Sequence, residues 1–95
     1  MQTTIDGIVY SIIDSEKMTA RVGTGQEING NAINGTIKSS ILFKEFVEIE
    51  NKKYKVTEIG MLAFRGNKAI KSLIIHKRIK KIEDRSFDQC NISLK

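Results

Sequence analysis

Val56-Thr57-Glu58-Ile59-Gly60-Met61-Leu62-Ala63-Phe64 is answered downstream by Ile79-Lys80-Lys81-Ile82-Glu83-Asp84-Arg85-Ser86-Phe87. The offset is constant: Val56 to Ile79, Ile59 to Ile82, Phe64 to Phe87 and Asn67 to Cys90 each span twenty-three residues. Between the copies lies Ile70-Lys71-Ser72-Leu73-Ile74-Ile75, an apolar run suited to one strand. A fixed period of this size marks a chain of stacked units, each burying its apolar positions against its neighbours. Val56, Ile59, Phe64, Ile70, Leu73 and Ile75 are therefore expected to point inward. Leu73 and Ile75 are two apart and share one strand face, which leaves Ser72, Ile74 and His76 on the other. Met61-Leu62-Ala63-Phe64 is too short for a lasting helix and reads as one helical turn carrying Phe64 over the core.

Upstream of the repeat the chain reads as strands and turns. Residues 5–13 are β-branched and aromatic without helical spacing, Asp14-Ser15-Glu16-Lys17 is a cluster of turn formers, and residues 18–22 alternate apolar with polar. Together they predict a β-hairpin. Residues 23–35 are the loosest segment, with Asn-Gly turn signals at Asn29-Gly30 and Asn34-Gly35. Gly25-x-x-x-x-Gly30 superficially looks like a phosphate loop, but Asn31-Ala32 stands where the lysine and hydroxyl residue are needed, which excludes that chemistry. Residues 36–50 hold a further strand or two; an amphipathic helix over 39–47, with Leu42, Phe43, Phe46 and Val47 on one face, is the alternative. Asn51-Lys52-Lys53 is expected to turn a second hairpin into Tyr54-Lys55-Val56.

The repeat resembles the BspA-type leucine-rich repeat on Val56-Thr57-x-Ile59-Gly60-x-x-Ala63-Phe64, Ile70-x-Ser72-Leu73-x-Ile75 and Ile79-x-x-Ile82-x-x-x-Ser86-Phe87-x-x-Cys90. Both the residue types and the twenty-three-residue period agree. His76 stands where that family usually has proline, Asn67 replaces its first cysteine and Glu83 its second glycine. In the last copy Ser93 fills the leucine slot, with Leu94 one residue late. The resemblance implies a mainly β fold, in which N-terminal β-hairpins cap a short leucine-rich-repeat-like β-solenoid of about one and a half repeats with brief helical turns. The expected layout is a single domain of residues 1–95, with 1–55 as the β-rich cap and 56–95 as the repeat segment. Adhesion or surface recognition is the function the resemblance implies.

Charge adds a direction. The net +5 is divided as −3 over residues 1–50 and +8 over residues 51–95, so an acidic partner would be steered to the C-terminal half. Lys77, Arg78, Lys80 and Lys81 form the densest basic cluster. Nucleic acid is disfavoured, because no aromatic residues interleave with these cations for base stacking. Ile74 is an apolar side chain expected on the outward strand face, flanked by Lys71, His76 and Arg78, a mixture that suits an interface centre with a charged rim. Lys71, Ile74, His76, Lys77, Arg78, Lys80 and Lys81 are thus the candidate protein-binding residues.

No enzyme is expected. One His and one Cys, with no third partner, fall short of a nucleophilic triad or a structural zinc set, so neither metal nor cofactor is implied. The BspA-type resemblance implies a small, buried core slot for Cys90, and a lone cysteine forms no internal disulfide. Asn34-Gly35-Thr36 and Asn91-Ile92-Ser93 are glycosylation sequons that matter only in an exported chain. Residues 1–6 lack the features of a signal peptide, and no apolar run approaches the length of a bilayer span. The expected setting is cytoplasmic for a complete chain, and cell surface or secreted for a fragment of a longer protein. A small intracellular inhibitor docking its basic half on an acidic partner is the alternative function, and self-association through the exposed C-terminal repeat edge is a further expectation.

Overall fold

A computed structural model describes residues 2–25, 32, 40–64, 71–83, 86 and 93–94. Among these, every regular element is a strand. β1 (Gln2–Ile5) and β2 (Ile8–Asp14) pair antiparallel across Asp6-Gly7, where φ is 53° and 80°. Two successive positive φ values give the hairpin turn whose twist matches its strands, and Asp-Gly is a sequence that adopts it readily. Residues 5–13 are therefore not one continuous strand as their composition implies; Asp6-Gly7 splits them. β2 pairs in turn with β3 (Thr19–Val22). The turn between them is fixed by the Asp14 carboxylate, which accepts the N–H groups of Glu16 at 2.8 Å and Lys17 at 3.1 Å.

β4 (Ser40–Leu42) and β5 (Phe46–Ile49) are extended, which excludes the helical alternative over 39–47. β5 and β6 (Lys52–Ile59) form the second hairpin. Its turn is Glu50-Asn51, with φ of 51° and 67°, so Lys52 and Lys53 belong to the strand rather than to the turn. β7 (Ser72–Ile74), β8 (Lys81–Ile82) and β9 (Ser93–Leu94) complete the set.

The strands make two sheets. One runs β1-β2-β3-β6-β5, and β1 comes alongside β5, so that it nearly closes. β6 is its centre: β3 lies along one side, while the other side is shared by β5 at residues 52–55 and β8 at residues 58–59. The second sheet is β4-β7-β9, parallel throughout. β3, β6 and β8 are also parallel, so the chain visits the two sheets in alternation: β3 then β4, β6 then β7, β8 then β9. These are three layers, and β5 is the antiparallel addition to the middle one.

Register shows why the repeat exists. Glu58 lies opposite Lys81 and Ile59 opposite Ile82, the same twenty-three-residue offset seen in the sequence. In the second sheet Leu73 lies opposite Leu94, an offset of twenty-one. The first layer copies the second without sharing its spacing: Val22 lies opposite Ile59 and Ile41 opposite Leu73. The backbone repeats as well. Gly60 N–H donates to Val22 O at 2.7 Å, and one layer on Glu83 N–H donates to Ile59 O at 2.9 Å. Ala32 N–H donates to Ala63 O at 2.8 Å, and Phe64 N–H to Ser86 O at 2.7 Å. Ala32, Ala63 and Ser86 thus form a column of small residues, each at most 1% exposed, where layers approach too closely for larger side chains. The Ser86 hydroxyl lies 2.6 Å from Glu83 O and 2.9 Å from Gly60 O, so its single proton is shared between two carbonyl acceptors.

The core fills the space between the sheets. Val22, Val56 and Ile59 face Ile41, Phe43 and Leu73, all within one buried cluster. Phe64 is fully buried, its ring centroid 5.7 Å from that of Phe43. It does sit over the core, but Met61-Leu62-Ala63-Phe64 is not a helical turn: Leu62 has φ of 59°, the wrong hand for a right-handed helix. Val56, Ile59 and Leu73 are buried as the repeat predicts, and Ile75 packs partly against them. Ile70 lies outside the described residues.

Candidate functional site

Pleating decides which side chains of the second sheet reach the surface. Leu73 is fully buried, so its neighbour Ile74 faces outward and is 45% exposed. Ile74 lies in register with Leu42 on β4, which is 68% exposed. Neighbouring parallel strands stand about 4.8 Å apart, so the two side chains adjoin as one apolar patch. The sequence does not mark Leu42 as a surface residue, because Ile41-Leu42-Phe43 is uniformly apolar and carries no sign of which member points out. Lys71 is exposed immediately before β7, at the edge of this patch.

The turn after β7 is held against the segment after β4. Arg78 N–H donates to His76 Nδ1 at 3.2 Å, so that nitrogen is the acceptor and Nε2 carries the proton. Nε2–H then donates to Lys44 O at 3.0 Å. His76 is consequently a strut joining two layers rather than a surface polar group. Arg78 is also engaged, with Nε 3.1 Å from Glu45 Oε1 and its guanidinium carbon 4.8 Å from the centroid of the Phe46 ring. Lys53 Nζ lies 4.5 Å from the same centroid. An aromatic therefore does stand among the cations, contrary to the absence inferred from the sequence. Two cations already rest on its ring, which leaves it poorly placed to stack on a base.

Lys77 and Lys80 are exposed, and the Lys80 N–H donates to Thr57 O at 2.7 Å. Lys81 Nζ lies 3.0 Å from Glu83 Oε1, a pair of small energetic consequence because its lysine is solvent-exposed. The structure divides the seven predicted residues. Lys71 and Ile74 lie with Leu42 on the β4–β7 face; His76, Lys77 and Arg78 form the connecting turn; Lys80 leads into β8 in the other sheet and Lys81 opens it. β8 also carries Ile82, which is 46% exposed.

The described residues hold no group of three His, Cys, Asp or Glu side chains able to bind a metal ion. Two acid–base equilibria are displaced among the described residues. Burial raises the pKa of the Tyr10 phenol, with the N–H of Lys44 opposing and the Asp6 charge adding to the rise. The N–H groups of Lys17 and Glu16 lower that of Asp14. No described helix is long and apolar enough to cross a membrane. Cys90, Asn34 and Asn91 lie outside the described residues.

Two parallel ladders, visited alternately by a chain whose period places isoleucine over isoleucine, have the leucine-rich-repeat fold. A solved structure of a leucine-rich repeat protein from Bacteroides ovatus superimposes with a TM-score of 0.71 at 21% identity. The match covers 97% of this chain and 22% of that one, so the chain spans about a fifth of that protein's length. Neither a family model nor a curated protein sequence matches the chain.

Proposed function

We propose that residues 1–95 act as one non-catalytic protein-binding unit, a short solenoid capped at one end by β1 and β2. Its partner is seated on the outward β4–β7 face. The observation that carries this reading is the in-register pair Leu42 and Ile74, exposed to 68% and 45% on a sheet whose opposite face carries the buried Ile41 and Leu73. Desolvating such a pair supplies the apolar centre of an interface, and Lys71 and Lys77 at its margin favour a partner with an acidic rim. Cations at a rim act mainly on the association rate, so binding should weaken with salt. Adhesion or surface recognition is the finer role that the BspA-type resemblance brings to this face; a small inhibitor of an acidic partner is the alternative.

Site-specific photo-crosslinking tests the face directly. A photoreactive residue at position 74 should capture an acidic protein from the source cells, and Leu42→Asp should abolish capture while leaving the melting temperature within a few degrees. The same residue placed at Lys52, exposed on the other sheet, should capture nothing. Equal capture from both positions, or capture insensitive to Leu42→Asp, counts against this face.

A further inference from the structure

On the side away from β6, β8 has no partner strand among the described residues. The column of side chains beneath it is Val22, Ile59 and Ile82; the first two are fully buried and the last is 46% exposed. A hydrogen-bonding edge and an uncovered isoleucine therefore coincide. What could cover them is narrowed by the flanking charges. The segment reads Lys80-Lys81-Ile82-Glu83-Asp84, with two cations before the isoleucine and two anions after it.

We infer that this edge is a pairing site for a second copy of the chain, antiparallel about a two-fold axis through Ile82. In that arrangement Lys81 stands opposite Glu83 of the second copy, and Glu83 opposite Lys81. Ile82 meets Ile82. The parallel, in-register alternative sets cation against cation and anion against anion, which is unfavourable for directly opposed strand residues. The charge order thus selects one direction of pairing. Within one chain Lys81 Nζ already lies 3.0 Å from Glu83 Oε1, so the two side chains share a face of the strand and reach the same point in space. Exchanging that ion pair between copies preserves the opposite-charge contact. The two-fold makes the contact self-complementary and closed, so it yields dimers and no fibre. β8 is two residues long, and the contact falls in the small, transient class of interface. Association is therefore expected at high micromolar concentrations rather than nanomolar ones.

Sedimentation velocity of the whole chain at low salt, from about 10 μM to about 1 mM, tests the pairing. The expected result is a concentration-dependent shift from monomer to dimer. Lys81→Glu and Glu83→Lys should each weaken self-association roughly tenfold or more, because each creates two like-charge oppositions. An equimolar mixture of these two variants should sediment as a heterodimer, since every opposition is then between unlike charges. Unchanged circular dichroism melts establish that both variants are folded. A wild-type chain that stays monomeric at 1 mM overturns the inference, as do charge variants that dimerise like the wild type, or a mixture that shows no heterodimer.

Discussion

Leu73 and Ile74 are adjacent, similar in size and hydrophobicity, and placed by the β7 pleat on opposite faces, so truncating each in turn measures the pleat itself. Leu73 is fully buried in the cluster between the sheets. Leu73→Ala removes its transfer energy and leaves a cavity, together costing about 3 kcal/mol. Ile74 is 45% exposed, so Ile74→Ala gives up only part of its burial and its contact with Leu42, about 1 kcal/mol or less. For a domain of this length each kcal/mol moves the melting temperature by about 4–8 °C, so the expected drops are about 12–24 °C for Leu73→Ala and under about 8 °C for Ile74→Ala. Differential scanning calorimetry of the two variants beside the parent reads both numbers. Equal shifts, or a larger one at Ile74, would refute the assignment of faces and with it the proposed binding surface.

Two further outcomes follow from the core. Gly60→Ala should destabilise by about 1–3 kcal/mol in urea unfolding, because a methyl group there would sit 2.9 Å from Val22 O and 3.0 Å from Arg21 Cδ and force the two layers apart. Burial favours the neutral Tyr10 phenol, so its stabilising effect is complete below the ordinary value of 10.0 and is lost as pH rises above it. As the pH rises above 10.0 the parent should therefore lose more stability than Tyr10→Phe. At neutral pH that variant should be weaker by about 1 kcal/mol, because it lacks the acceptor for Lys44 N–H.

The second and third layers were legible because one offset serves both sequence and register: Ile59 and Ile82 are twenty-three residues apart and lie side by side. The first layer was hidden by chain length. Ten residues separate Val22 from Ala32 where four separate Ile59 from Ala63, and seventeen separate Ile41 from Glu58 where eight separate Leu73 from Lys81. The second excess accommodates the β5–β6 hairpin, so a search for a fixed period passes over a layer whose bond from Gly60 N–H to Val22 O is repeated from Glu83 N–H to Ile59 O. At the site, Ile74 was recognisable from simple alternation with Leu73. Leu42 was not, since its outward direction is set by pairing with β7, thirty-two residues away. The role of His76 likewise depends on the carbonyl of Lys44, and no local motif encodes that contact.

The position of β6 between three neighbours bears on how the chain folds as it leaves the ribosome. β1, β2 and β3 can pair as soon as they emerge, each antiparallel to the last and joined by a short turn. The apolar face they present, with Ala20 and Val22 on β3, stays open until β6 arrives thirty-seven residues later. Closure then depends on a parallel contact of large sequence separation, which forms slowly because a long loop must be ordered first. The β5–β6 hairpin can form ahead of that step, so the strand that closes the core arrives already shaped. The antiparallel pair inserted into an otherwise parallel stack would thus act in time as well as in space, shortening the interval in which the first half of the molecule has an uncovered face.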